Sequence, residues 1–307
     1  EMAKLIAEIG TQGDPVRGEA IYRGKNASCQ KCHSIGGAGG NVGPDLVSIG
    51  ASAPLDYIVD SMYFPNKAVK EGYNSVVVTT KDGRILTGIK VQADAATTTL
   101  RDANADEVMI QNATISKQRN SGSIMPAGLM DPLTRQEVLD LVRFLSELGK
   151  QGPYAASGAP IARRWMMLDV ATDKIAIHAD PKEVGDLLKN APGLKWLPVY
   201  SHVSGNLPHG DLAFDTNQGK KVSIVRTQLD VSTGGLIRFK VNNAKDLNVW
   251  IEGISVPVKA EQFEIELNPG ARTLDLRVTN GGDAKELRLE LVEVPGSRAK
   301  AQFVTGK

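Results

Sequence analysis

Apolar residues recur every three or four positions over residues 2–10, with Met2, Leu5, Ile6 and Ile9 on one side, and this spacing predicts a helix. A second helix is predicted over 14–24. Asp14 is its N-cap, Pro15 fills its first position, and Val16, Ala20, Ile21 and Tyr22 share a side. Gly18 on that helix leaves room for a close neighbour. A third helix, 54–64, groups Leu55, Ile58, Val59 and Met62, and Pro65-Asn66 ends it. A fourth, 135–148, opens on Thr134 and Glu137 at capping-box spacing and turns Val138, Leu141, Val142, Leu145 and Leu148 inward, with Phe144 beside them.

Between the third and fourth helices the period falls to two. Strands are predicted at 75–80, 84–91, 97–101 and 107–110, with a short last piece at 112–117 and a hairpin turn at Asp82-Gly83. This β unit, residues 75–118, resembles a small Sm-like barrel. Residues 153–160 have linker composition. Beyond them, strands are predicted at 163–170, 173–178, 221–230, 235–242, 247–252, 262–267, 271–279 and 286–294. One helix at 181–190 and an irregular stretch at 191–215 interrupt them. Regular spacing and turns such as Asn280-Gly281-Gly282 point to an all-β sandwich over 161–307.

The chain has 307 residues, enough for two or three domains, and a formal net charge of +1, which gives no electrostatic argument for a nucleic-acid partner. No apolar run approaches the length of a membrane span, so no transmembrane segment is expected. The first residues read as the end of a helix rather than an export signal, which suggests a mature protein or a piece of a longer one.

The two cysteines of the chain stand in Cys29-x-x-Cys32-His33. That spacing matches covalent attachment of one c-type haem, with thioethers at both sulfurs and the histidine on the iron. A zinc site needs more ligands than this cluster supplies, and His178, His202 and His209 lie far along the chain. A thioredoxin-like motif belongs after a buried strand, and a disulfide across two residues closes only a short loop. An electron-transfer iron takes a sixth ligand, and methionine sulfur suits it. Met125, followed by Pro126 in an irregular loop, is the first choice. Met130 on the same loop is its rival, although its place before Asp131-Pro132 also suits a hydrophobic staple. Pro44, in the glycine-rich loop 34–46, is the candidate carbonyl for the second ring nitrogen of His33.

The ordered set Gly13-Asp14-x-x-Arg17-Gly18-x-x-Ile21-Tyr22, Cys29-x-x-Cys32-His33, Gly43-Pro44-x-Leu46, Met125-Pro126 and Val138, Leu141, Phe144, Leu145 resembles class I c-type cytochromes. With the β insertion and Lys70-Glu71-Gly72-Tyr73 before it, the region resembles the haem-binding domain of multidomain proteins from Planctomycetes and Verrucomicrobia. The resemblance implies a mostly α-helical cytochrome c domain over 11–152, preceded by a tail of another segment at 1–10 and followed by the sandwich, a multidomain α+β chain. It implies haem c held by Cys29, Cys32, His33 and Met125, with Pro44 and Leu46 at its edge. It also implies that the 14–24 helix crosses the 135–148 helix near Gly18, Tyr22 and Phe144.

The expected function is periplasmic electron transfer rather than catalysis. Electrons would pass from a donor such as a dehydrogenase to a redox protein acceptor, with Arg17, Arg23, Lys25 and Lys31 as a basic rim. The alternatives are a haem peroxidase or oxidase with a displaceable Met125, and a carbohydrate- or surface-binding protein in which the haem is accessory. For the last, Trp250 is a candidate to stack on a sugar, against the plainer reading of a half-buried strand tryptophan. Trp165, Trp196 and Tyr200 are candidates for a domain contact, and His202, His209 and Asp211 for a metal site.

Overall fold

A computed structural model describes residues 2–24, 26–155, 160–170, 176–191, 193–245, 247–280 and 284–305. The chain divides into two compact units, Glu1–Ala156 and Ser157–Gly306. Among the described residues it is predominantly β, with 20 strands in five sheets.

The first unit is mixed. Its helices are α1 (Met2–Gln12), α2 (Pro15–Arg23), the single turn α3 (Cys29–Cys32), α4 (Ile49–Ser52), α5 (Leu55–Tyr63) and α6 (Arg135–Glu147). Local chemistry accounts for their ends. The Asp14 carboxylate accepts from the Val16 and Arg17 N–H groups, which satisfies two of the donors that every helix start leaves open. Thr134 and Glu137 close a reciprocal capping box on α6. The two helices cross where Gly18 meets Asp140 and Phe144. A Cβ on Gly18 would lie 2.6 Å from that of Phe144, so only glycine allows this approach. Tyr22 and Phe144 meet beside it with ring centroids 5.7 Å apart, and both are buried.

After α3, β1 (Ser34–Ile35) and β2 (Ala38–Gly39) form a small hairpin inside the stretch expected to be a plain loop. Between α5 and α6 lies an antiparallel sheet of β3 (Asn74–Thr80), β4 (Ile85–Ala93), β5 (Thr97–Arg101), β6 (Glu107–Gln111) and β7 (Ile115–Ser123), in the order β6-β5-β4-β3-β7. It is an open sheet with β6 and β7 at its edges rather than a barrel, and it runs to Ser123 rather than 118. Residues 116–121 of β7 are exposed and polar, so no hydrophobic alternation announces the strand. Val76, Val78, Leu100 and Ile110 form the sheet's own core.

In the second unit the strands are β8 (Arg164–Leu168), β9 (Trp196–Tyr200), β10 (Leu207–Pro208), β11 (Asp215–Asn217), β12 (Lys220–Thr233), β13 (Gly235–Val241), β14 (Leu247–Ile251), β15 (Ile254–Val256), β16 (Gln262–Leu267), β17 (Gly270–Asn280), β18 (Glu286–Leu287), β19 (Leu289–Val292) and β20 (Lys300–Phe303), with one helix, α7 (Pro181–Asn190). A sheet ordered β15-β14-β17-β12-β8-β9, joined by β11 and β20 on β12, packs on the three-stranded sheet β16-β13-β19. Val225, Leu229, Leu274 and Leu276 share one core with Phe239, Phe263 and Leu289, which makes a sandwich. Ile224 and Trp250 project from the other face of the large sheet, against Val184 and Leu188 of α7. Of the strand expected at 173–178, residues 173–175 lie outside the described residues and 176–178 form a turn rather than a strand; residues 156–159 of the linker and Gly281-Gly282 of the turn also lie outside the described residues. The stretch 191–215, expected to be irregular, contains β9 and β10 and ends on the first residue of β11.

Two expectations are therefore corrected. The chain has no mostly α-helical cytochrome c domain: short helices share the first unit with seven strands, and sheets dominate the chain. The chain is not a helical class I cytochrome c. The descriptors that this resemblance carried, metal-binding among them, fall with it as family descriptors, and the described residues contain no group of three or more His, Cys, Asp or Glu that could hold a metal ion by itself. The β-sandwich remains. Among the described residues no helix is long and apolar enough to cross a membrane.

Candidate functional site

A cavity of about 390 Å³ lies in the first unit. Its volume falls in the roughly 300–1,000 Å³ range of cofactor and ligand pockets. Cys29, Cys32, His33, Pro44, Leu46 and Met125, scattered over 97 positions of sequence, all line it, and Met130 lines it too. Much of the remaining wall is apolar, with Ile49, Ile58, Met62, Leu141 and Leu145 among its residues.

The histidine is held from three directions. Its backbone N–H closes the α3 turn on the Cys29 carbonyl at 2.9 Å. Its carbonyl accepts from the Tyr22 hydroxyl at 2.7 Å. Its ring Nδ1 lies 2.8 Å from the Pro44 carbonyl oxygen, which can only accept, so Nδ1 carries the proton. Nε2 is then the nitrogen with a free lone pair. Burial pushes the His33 pKa down, opposed by the Pro44 bond and the nearby Asp45, which favours the neutral ring.

Gly43 completes this arrangement by lying flat on the imidazole. A Cβ there would stand 2.6 Å from Nδ1 and 2.8 Å from Nε2. The Gly43 N–H donates to the Cys32 carbonyl at 2.8 Å, and the Leu46 N–H to Ser34 at 2.8 Å. The Asp45 carboxylate gathers the turn by accepting from the Gly36, Gly37 and Val47 N–H groups and from the Ser34 hydroxyl.

Both thiols are partly buried and free. Burial pushes the Cys29 thiol up to about 11, and the Cys32 thiol is raised by the same cause, with Lys31 opposing. Neither is poised as a thiolate nucleophile, which argues against thiol redox chemistry of the thioredoxin kind.

The loop bearing Met125 is anchored on both sides. Asn74 pairs with Ser123 at the base of the inserted sheet, and the Ser123 N–H donates to the Asn66 side chain at 2.8 Å. The Met125 N–H donates to the Ser123 hydroxyl at 3.1 Å. The capping box of α6 holds the other side. Met130 is buried, whereas Met125 is half-buried.

Sequence reasoning missed the contribution of the sheet to this site. Ile89 and Ala103 line the cavity from it, and Arg101 reaches the loop before Gly43. No local pattern signals such contacts. The expected basic rim is also revised. Arg17 is committed to Asp14 and Asp140, Lys25 is outside the described residues, and Lys31 lines the cavity.

The candidates in the second unit are structural. Trp250 is fully buried, with its Nε1–H donating to the Pro181 carbonyl at 2.7 Å, and it presents no face to a sugar. Trp165 is fully buried in the sandwich core and donates to the Ser201 hydroxyl. The Arg226 guanidinium covers the Trp196 ring at 4.1 Å, and that of Arg164 lies 5.9 Å from the Tyr200 ring. His209 is buried beside Phe214, His178 pairs with Asp215, and neither these residues nor His202 and Asp211 assemble into a metal-holding group.

No family model matches the chain, and no curated protein matches it. Among solved structures, a β-glucosidase from Kluyveromyces marxianus in complex with glucose is 7% identical, with 47% of this chain and 16% of that one covered and a TM-score of 0.26. An α-xylosidase from Xanthomonas citri is 17% identical over 31% of this chain and 12% of its own, at 0.22. An anti-sigma factor domain-containing protein is 15% identical over 76% and 78%, at 0.26. This chain thus spans less than a fifth of those glycosidases, and likeness at this level assigns neither fold nor function.

Proposed function

We propose that the first unit binds one haem c covalently and that the protein relays single electrons between redox proteins outside the cytoplasm. The observation that supports this reading is the convergence of both thiols, His33 and two methionines on one largely apolar cavity. It rests on those residues and not on the overturned family likeness.

The residues fit the group. Cys29 and Cys32 would hold it through thioethers. In each, a sulfur–carbon bond forms as the thiol adds across a vinyl double bond, and the thiol proton goes to the other vinyl carbon, so no oxidant is needed. Burial raises both thiol pKa values, which favours the protonated form that this addition uses. His33 would bind the iron through Nε2, with Pro44 fixing the ring and raising its basicity. Met125 would supply a sulfur ligand from another part of the wall, with Met130 as the alternative on the same loop. When bound, the haem supplies a one-electron couple, raised by a methionine ligand and an apolar surround. The protein's own part is to exclude water and to keep both ligands in place, so that little rearranges as charge comes and goes.

The test is co-expression with a haem-attachment system in an exporting host, followed by a pyridine haemochrome assay. One covalent haem per chain is expected, and it should be lost in Cys29→Ala/Cys32→Ala. A chain that emerges without covalent haem overturns the proposal. Met125→Ala should abolish the methionine–iron charge-transfer band and Met130→Ala should keep it; the reverse result makes Met130 the ligand. Ready binding of carbon monoxide by the reduced wild-type protein at neutral pH would count against electron relay and for an open, enzymatic sixth position.

A further inference from the structure

The inserted sheet does more than enlarge the unit. At the end of β5, the Arg101 guanidinium is gripped by Glu107 of the neighbouring strand, with Nη2 2.6 Å and Nε 3.1 Å from one carboxylate oxygen. Its remaining nitrogen, Nη1, donates to the Asn41 carbonyl at 2.8 Å, across 60 positions of sequence. Two residues further on, Gly43 lies on the His33 ring, and the next carbonyl, that of Pro44, holds its Nδ1. The turn after Arg101 is stiffened by Asp102, whose carboxylate accepts from the Asn104 and Asp106 N–H groups, and it brings Ala103 to the cavity wall.

We propose that Arg101 is a positioning residue for His33, acting from the inserted sheet through the Asn41 carbonyl to fix the Gly43-Pro44 turn that orients the imidazole. The guanidinium suits this task because its planar fork presents Nη1 to the loop while Nε and Nη2 are held by Glu107. The arm that holds it, Glu107, belongs to the same sheet, so the loop is tied to a rigid element and not to another loop. This inference rests on the haem reading for its consequence, but the geometry that it invokes is present without the group.

Two readouts test it in the full chain. In the haem-free protein, nitrogen NMR should find wild-type His33 in the Nδ1–H tautomer. Arg101→Gln should shift it toward a mixture, and Arg101→Lys, which keeps a donor, should restore most of the preference. In the haem-loaded protein, Arg101→Gln should raise the reduction potential, because a ligand that loses its carbonyl partner becomes less basic and stabilises oxidised iron less. Glu107→Gln leaves Nη1 in place and should shift both readouts less, in the same directions; it also serves if Arg101→Gln fails to fold. A variant series that melts at lower temperature but keeps the wild-type tautomer and potential overturns the inference. A wild-type chain that takes up no haem overturns the proposed function instead, and the tautomer series still decides the role of Arg101.

Discussion

Arg17 and Asp140 face each other across the crossing of α2 and α6, Nε to Oδ2 at 2.7 Å and Nη2 to Oδ1 at 2.9 Å. The carboxylate is buried and also accepts from the Asp14 N–H and the Gln136 side chain, while the guanidinium is half in solvent. Asp140→Ala removes four hydrogen bonds and leaves their donors to find water or go without. A loss of about 2–3 kcal/mol is expected by chemical denaturation. Burial alone would raise the Asp140 pKa, but Arg17, Asp14 and Gln136 outweigh it and hold it below the usual carboxylate value. A depressed folded pKa means that this contribution is whole above the unfolded pKa of about 4 and fades as pH falls through the lower folded value. Wild type and Asp140→Ala should therefore converge in stability below about pH 4. Parallel curves down to pH 2 would refute the assignment.

Gly43→Ala puts a methyl group where the His33 ring already is. Either the ring or the turn must move, at about 1–3 kcal/mol by the usual cost of overpacking. The melting temperature should drop, and the Nδ1–Pro44 bond should be lost from the proton spectrum. An unchanged imidazole signal would show that the turn absorbs the methyl group freely.

Cys29 should react slowly with iodoacetamide in the folded, haem-free chain. With a thiol pKa of about 11, roughly one molecule in a thousand carries the thiolate at pH 8. Unfolding in urea should speed alkylation by two orders of magnitude or more, read by mass spectrometry. Equal rates in both states would mean that the thiol is not shielded by the fold.

Trp250→Ala should cost about 3–5 kcal/mol in the sandwich, because it empties a fully buried site under α7 and removes the bond to Pro181. Trp250→Phe should recover most of that. Soluble glycans should leave Trp250 fluorescence unchanged; a saturable quench would reopen its role in binding.

The features legible in the sequence were those written in adjacent residues. Asp14-Pro15 and the Thr134/Glu137 pair cap helices at the expected places, and β5 and β16 run over the expected residues. The candidate ligands were legible because Cys29-x-x-Cys32-His33 and Met125-Pro126 are compact chemical signatures. The balance of the fold was not. The helical motifs stand out in the first unit, whereas the two-residue strands β1 and β2 are too short to alternate and the polar edge strand β7 has no alternation, so the sequence alone makes that unit look far more helical than it is. The bond from Arg101 to Asn41 depends on how the sheet folds back and has no local trace.

The pairing of Asn74 with Ser123 has a consequence for how this unit can be taken apart. Opposed residues in an antiparallel pair lie about 4.5–5.5 Å apart, within reach of one added residue. The chain therefore enters and leaves the sheet at one place, and the 50 positions from 74 to 123 begin and end side by side. A cut at that place, rejoined by one or two residues, should yield a shorter unit that folds. Whether it still orients its histidine would measure how much of that task falls to the sheet.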